Sequence, residues 1–119
     1  MKMTREEESI FLQILGASPK MKILDFLLTF QAFDYSLTEV AQKTSVSYPI
    51  VVNVMEDFLR NGMIVETRKI GKARLFKLDE QNHLTKQLLK LQWEMAKNPA
   101  VFIQKESNNK AGEEILEAQ

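Results

Sequence analysis

The basic side chains of this sequence are concentrated in one short stretch. Six of the residues from 60 to 77 are lysine or arginine, and Glu66 is the single acid among them. Cations at this density can neutralise phosphate groups, which supplies most of the non-specific affinity of a protein for nucleic acid. The alternative is that they only solvate an exposed hairpin and protect its edge. We favour a functional surface formed by Arg60, Arg68, Lys69, Lys72, Arg74 and Lys77.

Residues that could support catalysis or bind a metal are scarce. His83 is the only histidine and cysteine is absent, so neither a disulfide framework nor a thiolate metal site can form. A catalytic triad would depend on His83 alone, and no serine stands in a nucleophile elbow. The sequence also lacks a glycine-rich phosphate loop. We therefore expect a protein that is not an enzyme and uses no cofactor, with His83 exposed at the start of a helix.

Length and charge indicate one small domain. The chain has 119 residues, of which 45% are apolar, and its formal net charge is zero. This size and composition fit a single hydrophobic core, and the basic character is local. The first residues are acidic where a signal peptide needs an apolar run, and no stretch is apolar enough to span a membrane. We expect a soluble, cytoplasmic protein.

Two short helices and a hairpin are predicted to position the candidate residues. Ser36 and Glu39 have the spacing of a capping box for a first helix, and Ser47 is a candidate cap for a second. Asn61–Gly62 is a helix-ending pair. Apolar and polar residues then alternate on both sides of Gly71, as in a two-stranded hairpin. This order can place one helix in a DNA groove beside a phosphate-binding wing.

Apolar and turn residues occupy regular positions in this arrangement. They are Leu37, Val40 and Ala41 in the first helix, Val46 and Ser47 at the turn, Val51, Met55, Phe58 and Leu59 in the second helix, Gly62 to Val65 at the entry to the wing, Gly71 and Arg74 at its tip, and Phe76 and Leu78 in the returning strand. With them, the stretch from Leu15 to Leu78 resembles the winged helix-turn-helix of small prokaryotic transcriptional regulators of the ArsR or MarR type. The resemblance implies a mainly α fold with a small β-hairpin wing, dimeric through its terminal helices.

The resemblance also implies which residues contact DNA. A helix in the major groove presents its first turns to base edges and phosphates. Asn53 has the amide geometry to pair with adenine, and Val52 can contact a thymine methyl group. No arginine or lysine precedes Arg60 in this helix, so A·T-rich sites and DNA shape are expected to matter. The implied DNA-binding residues are Lys43, Ser47, Tyr48, Pro49, Val52, Asn53, Arg68, Lys69, Lys72 and Arg74.

Two helices are predicted before this motif. Thr4 and Glu7 have the spacing of a capping box for the first, and Ser18–Pro19 opens the second. The apolar residues expected to face the core in the first helix are Ile10, Phe11, Ile14 and Leu15. In the second they are Ile23, Leu24, Leu27, Leu28 and Phe30. A short strand around Tyr35 is expected to extend the wing sheet.

The helix after the wing carries two apolar strips. Asn82 can cap it, and Pro99 ends it. One strip has the a/d spacing of a helix-pairing seam, and its residues are Leu84, Leu88, Leu91 and Met95. The neighbouring strip consists of Leu89, Trp93 and Ala96. Because one strip can cover the domain itself, the second favours a homodimer; the alternative is a broadly buried helix in a monomer.

Four parts of the chain are thus predicted. Residues 1–17 form an N-terminal helix that can contribute to a dimer contact, and residues 18–79 form the winged helix-turn-helix. Residues 80–98 form the dimerisation helix. Residues 99–119 form a flexible polar tail, in which residues 100–103 are a short strand or a last dimer contact.

Three functions remain open for such a chain. The first, which we favour, is a homodimeric regulator that binds double-stranded DNA and represses transcription. The second is a protein–protein module of the transcription machinery that uses the apolar run from Tyr48 to Val52. The third is a protein that binds DNA partition or replication sites. Nothing in the sequence identifies a small-molecule effector.

Overall fold

A computed structural model describes residues 8–102 of the chain. The elements in chain order are α1 (Ile10–Leu15), α2 (Pro19–Thr29), β1 (Tyr35–Ser36), α3 (Leu37–Thr44), α4 (Tyr48–Arg60), β2 (Ile64–Ile70), β3 (Ala73–Leu78), α5 (His83–Lys97) and α6 (Pro99–Phe102). The predicted fold class, mainly helical with a small β-hairpin wing, is confirmed. The predicted capping box of Thr4 and Glu7 and the tail from residue 103 onward lie outside the described residues.

The start of α3 is held by the predicted capping box. The Glu39 backbone N–H donates to the Ser36 hydroxyl at 3.2 Å, and the Ser36 backbone N–H donates to the Glu39 carboxylate at 3.0 Å. The helix ends at Ser45, whose φ of 58° is left-handed. This residue turns the chain so that α4 can begin three residues later, at Tyr48. Sequence and structure therefore agree on the helix-turn-helix.

Ser47 occupies the N-cap position of α4, but its side chain makes no capping hydrogen bond. An N-cap side chain accepts from the second or third N–H of its helix. The second residue of α4 is Pro49, which has no N–H, so one of the two donors is missing. The prediction that Ser47 caps α4 through its hydroxyl is therefore wrong.

The end of α4 directs the chain into the wing. The Met63 N–H donates to the Phe58 carbonyl at 2.9 Å, and the Gly62 N–H donates to the Leu59 carbonyl at 3.1 Å. This pair of bonds is a Schellman motif, which needs a left-handed residue just past the helix. Gly62 supplies it with a φ of 72°. Met63 and Phe58 are both buried in the same hydrophobic core, as is common for this motif.

The wing is a three-stranded antiparallel sheet in the order β1-β3-β2. Tyr35 pairs with Phe76, so the strand predicted around Tyr35 is confirmed. Gly71 has a φ of 61° and opens the two-residue turn between β2 and β3, as in a type II′ hairpin. A bulge between Glu66 and Arg68 interrupts the register of β2 with β3.

One hydrophobic core joins the helices to the base of the wing. Its least exposed side chains include Phe11, Ile23, Leu27, Leu28, Val40, Val51, Phe58, Ile64 and Leu78. In α1, however, Phe11 and Leu12 are buried, while Ile14 and Leu15 are exposed. The predicted face of α1 is therefore right for Phe11 and for Ile10, which packs against the core, and wrong for Ile14 and Leu15 in the last turn of this six-residue helix. Phe30, predicted to be buried, is 47% exposed because it lies past the end of α2.

The inner face of α5 differs from the predicted seam. Met95 is buried in the core at 4% exposure, and Leu88 packs against the same core. Leu84 and Leu91 are 52% and 36% exposed. The inner face also includes Thr85, which is fully buried although polar, so the buried face is turned from Leu84 and Leu91 toward Thr85. Met95 is thus a core residue of the single chain, whereas the assignment of Leu84, Leu88 and Leu91 to a dimer contact remains a prediction.

Polar bonds fix α5 against the first two helices. The Gln92 amide donates to the Asp25 carboxylate at 2.9 Å and to the Thr29 hydroxyl at 2.9 Å. The Ser9 hydroxyl donates to the same carboxylate at 3.0 Å. Beside this network lies an open apolar groove between α1, α2 and α5, with a volume of about 740 Å³.

Residues 99–102 form the short helix α6, so the alternative of a strand there is wrong. Pro99 is its first residue, where the missing N–H leaves no intrahelical bond unmade. Within residues 8–102, no helix is both long and apolar enough to cross a membrane.

The two N-cap serines offer a matched test of how the helix-turn-helix is stabilised. Ser36→Ala should lower the free energy of unfolding by about 1 kcal/mol, because it removes the capping bond of α3. Ser47→Ala should cost clearly less, because the Ser47 hydroxyl makes no such bond. Urea denaturation of both variants measures the difference. Equal losses would contradict the assigned caps.

Candidate nucleic-acid interface

The outer face of α4 is the candidate DNA-reading surface. Val51, Val54, Met55 and Phe58 form its buried inner face. Residues spaced three or four apart share one side of a helix, so the side opposite this face carries Pro49, Asn53, Glu56 and Arg60. All four are exposed. Their side chains offer an amide, a carboxylate and a guanidinium to a ligand that lies along the helix.

The predicted residues at the start of α4 lie at the same end of this surface. Ser47, Pro49 and Asn53 are exposed, Tyr48 is 50% exposed, and Val52 is partly buried. Because the Ser47 oxygen accepts no capping hydrogen bond, the hydroxyl can both accept and donate a hydrogen bond outward. Lys43 is exposed in the last turn of α3 and precedes Ser47 by four residues. These six predicted residues thus belong to the two helices of the helix-turn-helix.

Arg68, a predicted DNA contact, is bound within the protein. Its guanidinium donates two hydrogen bonds to the Asp34 carboxylate, from Nε at 2.9 Å and from Nη2 at 3.1 Å. The Thr67 hydroxyl donates to the same carboxylate at 2.6 Å. Thr67 is the bulge residue of β2, so the bulge brings two adjacent side chains onto one acid. We call this group of Asp34, Thr67 and Arg68 the wing clamp.

The wing clamp holds Asp34 as a carboxylate. Hydrogen bonds from Arg68 and then from Thr67 lower the pKa of Asp34 from 3.8 to about 2. The same contact with Asp34 raises the pKa of Arg68. The Asp34 side chain is 16% exposed and the Arg68 side chain is 61% exposed, so the pair is only partly shielded from water. The clamp ties the loop before β1 to the far strand of the wing.

The remaining wing cations differ in their partners. Arg74 forms an ion pair with Glu66, and its guanidinium lies 5.2 Å from the centre of the Phe76 ring. Lys69 and Lys72 are exposed, and the ion pairs found within residues 8–102 include neither of them. Lys72 lies in the two-residue turn itself and Lys69 lies two positions before Gly71. The tip of the wing therefore presents lysines, while its two arginines are engaged in the sheet.

The roles of Asp34 and Thr67 in the wing clamp leave almost no trace in the sequence. Asp34 lies 34 residues before Arg68, and a pair so far apart in sequence leaves no local pattern. Thr67 reaches Asp34 only because of the bulge in β2, and the position of that bulge depends on the register of β2 with β3. The only signal available was a lone acid directly before the short strand at Tyr35.

Comparison with solved structures identifies the fold. The chain is similar to MepR, a transcription regulator of the Staphylococcus aureus multidrug efflux pump MepA, at a TM-score of 0.54 and 14% identity, covering 96% of this chain and 86% of MepR. It is also similar to the heme sensor protein PefR from Streptococcus agalactiae, at a TM-score of 0.52 and 13% identity, covering 91% of this chain and 78% of PefR. The chain has the winged-helix fold of these proteins. Neither the family models nor the curated proteins compared with it gave a match.

The wing clamp makes stability depend on pH in a defined direction. The pKa of Asp34 is lower in the folded protein than its ordinary value of 3.8, so ionised Asp34 stabilises the fold above that pH. The contribution is lost as the pH falls from 3.8 toward about 2. Asp34→Asn should therefore be less stable than wild type at neutral pH, and the difference should shrink across this acid range. Denaturant midpoints measured at each pH test this.

The control is Glu80→Gln, which removes an exposed carboxylate outside the ion pairs found within residues 8–102. It should leave stability near the wild-type value at every pH. A constant difference between Asp34→Asn and wild type from neutral to strongly acid pH would contradict the clamp.

Proposed function

We propose that this protein is a sequence-specific regulator of transcription that binds double-stranded DNA as a homodimer and represses by occupying promoter DNA. The observation that carries the proposal is the joint exposure of the outer face of α4 and of the lysines at the wing tip, on the fold of MepR, a transcription regulator. A winged helix places such a helix in the major groove and its wing along the adjacent backbone. Both surfaces then meet DNA together.

The electrostatic part of this binding is assigned to the wing and to Lys43. The outer face of α4 carries Glu56 and Arg60, and the Arg60 guanidinium is paired with Asp57, so this face supplies no unpaired cation among the described ion pairs. Lys69, Lys72 and Lys43 have no acidic partner among the ion pairs of the described residues. Each cation that neutralises a phosphate releases counterions on binding. Arg68 is assigned to the wing clamp, where it orients the wing instead of contacting phosphate.

Sequence reading is assigned to α4. Asn53 can form the paired hydrogen bonds that distinguish adenine, and Val52 can contact a thymine methyl group. Ser47 and Tyr48 have hydroxyl groups at the start of the helix that can donate to phosphate oxygens. The helix dipole adds a partial positive charge at that end. A·T-rich sites are the expected targets.

The homodimer is supported by apolar side chains that the single chain leaves in water. Leu84 and Leu91 are exposed along one side of α5, Trp93 is 64% exposed on the opposite side of the same helix, and Val101 of α6 is 71% exposed. Ile14 and Leu15 of α1 are 42% and 46% exposed. Large apolar side chains left exposed on neighbouring elements favour association with a partner that covers them. A second copy seated on α1 and α5 would cover them, and would also close the groove between α1, α2 and α5.

A protein–protein module remains the competing function. Tyr48 and Ile50 are 50% and 41% exposed at the start of α4. The outer face of the helix also carries the acidic Glu56, where a DNA-binding helix usually carries a lysine or an arginine. Binding of unrelated duplex DNA at low salt separates the two functions. If no duplex binds, Tyr48 and Val52 become the residues to test for a protein partner.

Lysines at the wing tip should set the salt dependence of DNA binding. Lys72→Ala and Lys69→Ala should each lower the slope of log affinity against log salt by roughly one unit, because each removes about one phosphate contact. The loss should be nearly equal on all sequences. The matched control is Lys86→Ala, an exposed lysine on α5 that should leave the slope unchanged. Fluorescence anisotropy over a salt series measures it, and an unchanged slope in the wing variants would count against DNA binding by the wing.

Charges placed on the exposed side of α5 should separate the dimer. Leu84→Glu combined with Leu91→Glu should give a folded monomer, because both side chains lie outside the chain's own core. Gln81→Glu, which adds a carboxylate in the loop before α5, should leave the dimer intact. Sedimentation velocity at micromolar concentration reports the mass. A monomeric wild-type protein under these conditions would refute the homodimer.

A further inference from the structure

Two adjacent acids of α4 have different surroundings. The Asp57 carboxylate is held by Arg60 at 3.2 Å and by Lys20 of α2 at 3.9 Å, so its charge is partly compensated. Glu56 is exposed, and it takes part in none of the ion pairs found between residues 8 and 102. The carboxylate that lies on the outer face is therefore the uncompensated one.

The position of Glu56 matches that of a base-reading residue. A helix lying in the major groove presents residues at i, i+3, i+4 and i+7 to the base edges. Pro49, Val52, Asn53 and Glu56 have this spacing, and each except the partly buried Val52 is exposed. Glu56 follows Asn53 by three residues, a rise of about 4.5 Å along the helix. This rise is somewhat more than one base-pair step, which is about 3.4 Å.

A carboxylate in this position tolerates few DNA groups. Ionised glutamate only accepts hydrogen bonds, and phosphate oxygens repel it. In the major groove, the donors are the amino groups of cytosine and adenine. Adenine places its N7 acceptor beside the amino group, which suits an amide such as Asn53 and opposes a carboxylate. Cytosine offers the N4 amino group without an acceptor of its own beside it.

We propose that Glu56 is a specificity-determining residue that accepts a hydrogen bond from the N4 amino group of a cytosine. The inference rests on the proposed function of DNA binding and adds to it one required G·C pair. The preferred site then carries a cytosine within one or two base pairs of the adenine read by Asn53. A carboxylate also weakens binding to all other sequences, because away from cytosine it meets acceptors and phosphates. Glu56 thereby exchanges general affinity for selectivity.

The test begins with selection of preferred duplexes from a randomised pool by the wild-type protein. Each cytosine of the selected site is then replaced by N4-methylcytosine, which still pairs with guanine but presents a methyl group in place of the major-groove N–H. We expect one such position to weaken wild-type binding roughly 5- to 150-fold, the range of one good base contact. The control duplex carries 5-methylcytosine at that position, which keeps the N4 donor and should bind much more tightly than the N4-methyl duplex.

The matched protein variant is Glu56→Ala, at an exposed position where truncation leaves the core intact. It should bind random duplex more tightly than wild type and should lose most of the discrimination against N4-methylcytosine. Asn53→Ala should instead keep that discrimination and lose preference at the adenine. This pair of results assigns the two bases to the two residues.

Two outcomes overturn the inference. If Glu56→Ala raises affinity equally for every duplex and leaves base preference unchanged, Glu56 repels phosphate and reads nothing. If the selected sites carry no required cytosine, the N4 contact does not exist. Failure of the wild-type protein to bind any duplex at low salt would be seen before either comparison and would overturn the proposed function together with the inference.

Discussion

The packing of the inner face of α4 is the constraint on which the rest of the surface depends. Phe58 is 2% exposed, and its carbonyl accepts the hydrogen bond from Met63 that ends the helix. The same residue therefore fixes how α4 sits on the core and in which direction the chain leaves for the wing. Gly62 allows this change of direction because a residue without a Cβ atom adopts the left-handed conformation without a steric clash. Any displacement of α4 would move the candidate reading surface and the start of β2 together.

The wing divides its cations between structure and surface. Arg68 is held by Asp34 and Arg74 by Glu66, whereas Lys69 and Lys72 have no partner among the described ion pairs. This division suits the chemistry of the side chains, because the planar guanidinium matches a carboxylate with two bonds and the flexible ammonium follows a phosphate as a point charge. A chain with zero formal net charge can thus present a positive tip. The bulge at Thr67 makes the division possible by turning Thr67 and Arg68 toward the same acid.

The single chain exposes two kinds of surface that a partner could cover. On α4 it exposes polar groups and an uncompensated carboxylate, and on α1 and α5 it exposes large apolar side chains such as Trp93. Exposed polar groups favour a partner whose hydrogen-bonding groups match them, which makes binding selective. Exposed apolar groups are stabilised by any partner that excludes water from them. The two surfaces therefore call for different partners, which agrees with DNA on one side and a second copy on the other.

The sequence by itself determined the order of the elements from α1 to α5 and most of their ends. Helix ends depend on local interactions, so they can be predicted without the fold. The examples are the caps formed by Ser36 with Glu39 and by Ser18 with Pro19, and the helix end at Gly62. The tertiary structure decided which face of α5 turns inward, because the polar residues Thr85 and Gln92 find their hydrogen-bond acceptors at Met63 and Asp25, which are distant in the sequence. It also decided that Arg68 binds Asp34, since the two meet only when β1 pairs with β3. Contacts between residues far apart in the chain depend on register and packing, which no local pattern contains.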